Sequence, residues 1–200
     1  MSHEELWQQL AGLDRQQTSQ RAKCQYLTDP ERYVITLLNT EYVVNLSAQQ
    51  IFSSQPGSEP AEFLEQLCLL AYLINARDLP LAEKLVSAES LPGGAFFFRG
   101  PHILPTRKLE ETFGEKPNLL YEASAHLNAK RRDFGDASVE FLVLPRIPST
   151  FVIWAGDEEF GPRASVLFDE TAGSHLLLDA LLAAVNLAVD ALVKASEKSS

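Results

Sequence analysis

The chain has 200 residues, 46% of them apolar and 22% charged, a balance that suits one globular domain and excludes a disordered tract. Its 27 acidic residues outnumber 17 basic ones for a formal charge of −10, a field that repels phosphate backbones and anionic lipid, so neither nucleic acid nor a membrane is an expected partner. Cys24 and Cys68 supply neither a disulfide framework nor a zinc or iron–sulfur ligand set, and no signal-peptide pattern is seen, which points to a reducing cytoplasm.

Ser2 and Glu5 stand at the spacing of a capping box, with Leu6, Leu10 and Leu13 at helical intervals behind them. The stripe fades into Gln16-Gln17-Thr18-Ser19-Gln20, so residues 1–24 read as a loosely packed N-terminal helical arm. A single α+β domain over 25–195 and a disordered tail over 196–200 follow. Residues 33–38 and 41–46 are β-branched and aromatic runs, and Asn39-Thr40 between them suits a two-residue hairpin turn. Asp29-Pro30 opens this segment and Gln55-Pro56-Gly57-Ser58 closes it.

Residues 62–76 predict a helix with Pro60 in its first turn, an apolar face of Phe63, Leu64, Leu67, Leu70, Ala71 and Ile74, and Cys68 as a small core residue. Residues 85–88 suit a short strand or the tail of another helix. Pro92-Gly93-Gly94 then turns the chain into a strand at Phe96-Phe97-Phe98. Helical stretches follow near 106–113 and 118–129, and Lys130-Arg131-Arg132 reads as a solvated helix end. Strand character returns over 139–144, 151–155 and 164–168, with a stiff bend at Pro145-Arg146-Ile147-Pro148 and a loop over 156–162. In the final helix, over 174–194, Asp179, Asn186, Asp190 and Lys194 form one narrow polar stripe. Such a helix must be covered on most sides, by the rest of the chain or by a second subunit in a homodimer. The whole predicts an α+β fold: one mainly antiparallel sheet of about five strands, with helices packed mainly on one face.

Asp157-Glu158-Glu159 places three carboxylates in one loop, which suits acid–base work or a hard divalent cation; the alternative is a loop tip in which one acid caps the turn. Asp169 belongs at the far end of that hairpin, about 15–17 Å from the acidic loop. It is expected to cap the entrance of the last helix with Ser174, and His175 is expected there too. His102, in an irregular segment after Gly100-Pro101, is the histidine best placed for catalysis, with His126 inside a helix. Phe96, Phe98 and Arg99, with His102 nearby, would line a flat apolar site such as one for a tetrapyrrole or corrinoid; the alternative is plain core packing. Trp154 is expected in the core. No nucleotide-binding fingerprint occurs.

Leu91-Pro92-Gly93-Gly94, Leu144-Pro145-Arg146-Ile147-Pro148, Trp154-Ala155-Gly156-Asp157-Glu158-Glu159-Phe160, Leu167-Phe168-Asp169 and Ala71-Tyr72-Leu73 together resemble the domain-of-unknown-function family 3786 of mostly anaerobic bacteria and archaea. The resemblance covers about residues 25–195 in the same order. It implies company with corrinoid or iron–sulfur proteins of one-carbon metabolism, reached here through a partner because the chain lacks a four-cysteine extension. The expected function is thus a non-catalytic module that binds a cofactor or a partner protein. The competing readings are a small enzyme using Asp157, Glu158, Glu159 and His102, with or without a divalent metal, and a structural homodimer joined through the last helix.

Overall fold

A computed structural model describes residues 2–55, 57 and 59–198, so the turn expected at 55–58 and the tail expected at 196–200 lie partly outside the described residues. Four strands, β1 (Gln25–Thr28), β2 (Glu31–Leu37), β3 (Thr40–Asn45) and β4 (Gln50–Ser53), form an antiparallel meander. The β2–β3 hairpin follows from alternation: Tyr33, Ile35 and Leu37 on one strand and Tyr42 and Val44 on the next point into the core. Its turn is Leu38-Asn39, one residue earlier than expected, with φ of 50° and 58°. Two positive values match the turn that fits the right-handed twist of a hairpin.

The second sheet holds β5 (Leu85–Ser87), β6 (Lys130–Arg131), β7 (Ala137–Leu144), β8 (Ile147–Trp154) and β9 (Arg163–Asp169) in the order β5-β9-β8-β7-β6. The fold is α+β, as expected, but its strands divide between two antiparallel sheets of four and five rather than forming one. β8 and β9 pair directly, Thr150 opposite Leu167 and Trp154 opposite Arg163. Phe141 and Phe151, diagonal neighbours on β7 and β8, stack with centroids 4.9 Å apart. Lys130-Arg131 is an edge strand, not a helix end, and the Arg131 guanidinium lies 4.1 Å over the Tyr121 ring.

Eight α-helices, with three single-turn 3-10 helices, complete the described structure: α1 (His3–Ala11), α2 (Arg15–Ala22), α3 (Phe63–Asn75), α4 (Gly94–Phe97), α5 (Thr106–Phe113), α6 (Leu119–Ala123), α7 (Ala172–His175) and α8 (Leu178–Lys198). The capping box exists: the Ser2 N–H donates to Glu5 at 2.6 Å and the Glu5 N–H to Ser2 at 3.2 Å. α1 buries Leu6, Trp7 and Leu10 and packs on α3, so the N-terminal segment belongs to the core. In α3 every residue from Cys68 to Leu73 is buried, whereas Phe63, expected in the core face, is 67% exposed, because the first turn projects beyond its neighbours. α8 rests on α3, α5, α6 and β7. Its apolar girth is covered within the chain, and Asp179, Asp190 and Lys194 face solvent.

The Phe triplet is not a strand. Gly93, at φ 78°, launches the one-turn helix α4, which leaves Phe96 86% exposed and buries Phe98. Gly94 packs so closely on the preceding turn that a Cβ there would stand 2.0 Å from the Ala88 carbonyl oxygen. Gly94→Ala is expected to destabilise the protein by about 3 kcal/mol in urea denaturation, since backbone must move to admit it. Gly161→Ala, where a Cβ meets nothing within 4 Å, should be neutral.

Candidate functional site

The α3–β5 connection, residues 77–84, is held by the side chains of Arg146, Asp169 and His175, and the end of α3 before it by Arg21. Arg146 follows Pro145 in the tight β7–β8 bend, which aims its guanidinium inward; the residue is 5% exposed. It donates from Nε to the Arg21 carbonyl at 2.6 Å and from Nη1 to the Leu79 carbonyl at 2.8 Å, and pairs with the Asp78 carboxylate. Arg21, near the end of α2, donates to the Ile74 and Ala76 carbonyls at 2.9 and 2.7 Å, so two of the carbonyls at the end of α3 are satisfied. Asp169, 3% exposed, accepts from the Ala82 and Glu83 N–H groups at 3.0 and 2.8 Å and from the Thr171 N–H and hydroxyl at 3.0 and 2.6 Å. Asp169 therefore does not cap the last helix; it binds the connection to the start of α7. Burial alone pushes its carboxyl up, but those hydrogen bonds together outweigh it and hold the pKa below the ordinary value.

His175 ends α7 fully buried rather than capping α8, and its Nδ1 accepts from the Arg77 N–H at 3.3 Å. The proton must then sit on Nε2, which has no hydrogen-bond partner among the described residues. Burial, then Arg146, and more weakly Arg77 and Lys23, hold its pKa below 6.5 against the opposing pull of Asp169. The folded state thus refuses a proton that the unfolded chain accepts. The shift costs nothing above about pH 6.5, where both states are neutral, and destabilises the folded state as pH falls below that value. Urea midpoints at pH 7.5 and 5.5 should differ, and His175→Gln should narrow the difference.

Beside this clamp lies an open cleft of about 610 Å³, between the tip of the β2–β3 hairpin and the outer side of β7. Its walls carry Leu81 from the clamped connection, Leu142 and Leu144 from β7, and Pro145 and Pro148 from the bend. Lys23, Lys130 and Glu140 supply charge. The hairpin tip is pinned: the Leu38 N–H donates to the Val143 carbonyl at 3.0 Å, and Asn39 bonds the His126 carbonyl and the Asn128 side chain, each at 2.8 Å. The volume falls in the range of small-molecule sites.

The residues singled out from the sequence lie elsewhere and do not converge. Asp157 accepts from the Glu159 and Phe160 N–H groups at 2.8 and 2.7 Å, bonds that hold its carboxyl below the ordinary value. It closes its own turn, in an exposed loop with Glu158 and Glu159. That loop abuts the C-terminal end of α5, where Gly114 meets Pro162, whereas His102 precedes the N-terminal end of α5, a helix about 12 Å long. His102 stacks on Phe97 at 4.6 Å and is exposed, and Arg99 lies 6.0 Å from the Phe96 ring. Trp154, expected in the core, is half-buried under the Arg163 guanidinium. No group of three metal-ligating side chains occurs among the described residues, and none of their helices is long and apolar enough to cross a membrane. Burial pushes both thiols up to about 12. The cleft residues Lys23, Lys130 and Leu142 sit in no motif; the one trace in the sequence is the arginine flanked by apolar residues and prolines at 144–148.

A family model described as Domain of unknown function (DUF3786) matches residues 14–191. No curated protein and no solved structure matches the chain.

Proposed function

Because this chain belongs to the DUF3786 family, whose description carries no activity, we propose its function from the site: a non-catalytic module that binds a cofactor or a partner's ligand in the cleft at β7. The observation that carries this reading is a cleft of about 610 Å³ whose walls include exposed leucines and the 144–148 segment that bears the family resemblance. Supporting it, Asp157 is spent on its own turn and Asp169 and His175 on the clamped connection, while the acidic loop and His102 lie at different ends of α5. We set the module in the cytoplasm, in anaerobic corrinoid or iron–sulfur metabolism. Two thiols held protonated by burial are poor iron–sulfur ligands, so any iron–sulfur chemistry would belong to a partner. Native mass spectrometry of the chain isolated without oxygen should show a small-molecule adduct or a stoichiometric partner. A bare chain throughout, with a flat spectrum on corrinoid titration, overturns the proposal.

A further inference from the structure

The cleft carries a charge balance opposite to that of the chain. In a protein of formal charge −10, its rim presents two ammonium groups, Lys23 and Lys130, against one carboxylate, Glu140. Glu140 is already engaged: it accepts from the Thr150 hydroxyl at 3.2 Å, and the Arg132 Nε stands 3.9 Å away. Neither lysine ammonium has a hydrogen-bond or ion-pair partner among the described residues. Lys23 projects from the left-handed residue that ends α2, and Lys130 from the edge strand β6, so the two charges enter the same cleft from separate elements.

The same cleft also has apolar, open walls. Leu81 is 40% exposed and Leu142 52% exposed, large side chains that face water inside a concave surface. Leu142 is also where β7 lacks an outer neighbour, because β6 pairs only with Val139 and Glu140. Free cations beside uncovered apolar surface, in a cleft of small-molecule size, define a ligand by its two ends.

We infer that the cleft takes a small amphipathic anion, a carboxylate, sulfonate or phosphate head met by Lys23 and Lys130 with an apolar body laid over Leu81 and Leu142. This rests on the binding reading above and specifies its ligand class. Burial of the two leucines drives association, and the lysines select the anion over a neutral molecule of the same shape.

The probe is dodecanoate, titrated into the full chain at low salt against displacement of the fluorescent sulfonate 8-anilinonaphthalene-1-sulfonate, with dodecanol as the neutral counterpart. Dodecanoate should bind saturably, at least tenfold more tightly than dodecanol, and weaken as salt is raised. Lys23→Gln with Lys130→Gln should remove that tenfold preference. Leu142→Asp and, as a second variant in a different element, Leu81→Asp should abolish binding while urea midpoints show the fold intact. Equal binding of dodecanol and dodecanoate, unchanged in the double lysine variant, overturns the anion inference and leaves the cleft a binding site. Binding of dodecanoate that survives both leucine variants overturns the cleft itself. Absence of saturable binding by any of these probes overturns the inference, and the native-mass adduct then decides the broader proposal independently.

Discussion

Arg146→Met is expected to lower the unfolding free energy by about 2–3 kcal/mol, mainly the cost of leaving two carbonyls without their donor, since the Asp78 carboxylate is 79% exposed and adds little. Methionine fills much of the space but donates nothing, so the Arg21 and Leu79 carbonyls lose partners at 2.6 and 2.8 Å, and Asp78 loses its cation. Arg146→Lys should rescue little, because one ammonium does not reproduce three bonds made by a planar fork. Urea denaturation gives the loss. A second measurement tests the cause: Arg146 depresses the His175 pKa, so without it the imidazole should titrate closer to 6.5 by NMR. An unchanged titration would mean that the guanidinium does not face His175.

Asp169→Asn should cost about 2–3 kcal/mol near neutral pH, since charge-assisted bonds are worth roughly twice neutral ones and the carboxylate that makes them is buried. The substitution keeps the shape. Its amide NH₂ must, however, face donors wherever it replaces an oxygen that accepts from Ala82, Glu83 or Thr171. The folded pKa of Asp169 lies below 3.8, so its contribution is present above the unfolded value and is lost as pH falls through the folded one. The gap between wild type and variant should therefore be constant from pH 7 to about 5 and close below about 4. Limited proteolysis supplies the local readout: cleavage within 77–84 should accelerate in the variant, because that stretch is pinned by this carboxylate. A gap that persists undiminished at pH 3 would refute the electrostatic account.

Elements with their own periodicity were legible in the sequence: the β2–β3 hairpin, α1 with its capping box, α5, and the β8–β9 pair. Those made by their neighbours were not. β1 and β4 are four-residue strands, too short to show a pattern, and they exist because the hairpin offers them edges. α2 is polar along its length, yet Thr18 and Ser19 are buried and Arg21 ties it to α3. The Phe triplet imitates a strand by composition, while the decisive residues are Gly93 and Gly94, whose backbone admits a helical turn against Ala88. Of the site, Asp169 was placed at the correct end of its strand but given a cap's role, since its partners at 82 and 83 lie 86 or more residues away in the chain. The cleft draws residues from 23 to 148, and no local spacing encodes a concavity built from that many pieces.

The clamp on residues 77–84 also imposes an order on biosynthesis. Roughly ninety residues separate that connection from His175, an interval of about 5–20 s at ordinary translation rates. Early in it, the carbonyls of Ile74 and Ala76 can already be met by Arg21, but Leu79 must wait for Arg146, and Ala82 and Glu83 for Asp169. Until those residues are made, 77–84 is a pliable strap following α3. That strap is the natural point of attack for proteases and the natural grip for a chaperone, until Arg146, Asp169 and His175 arrive to fasten it.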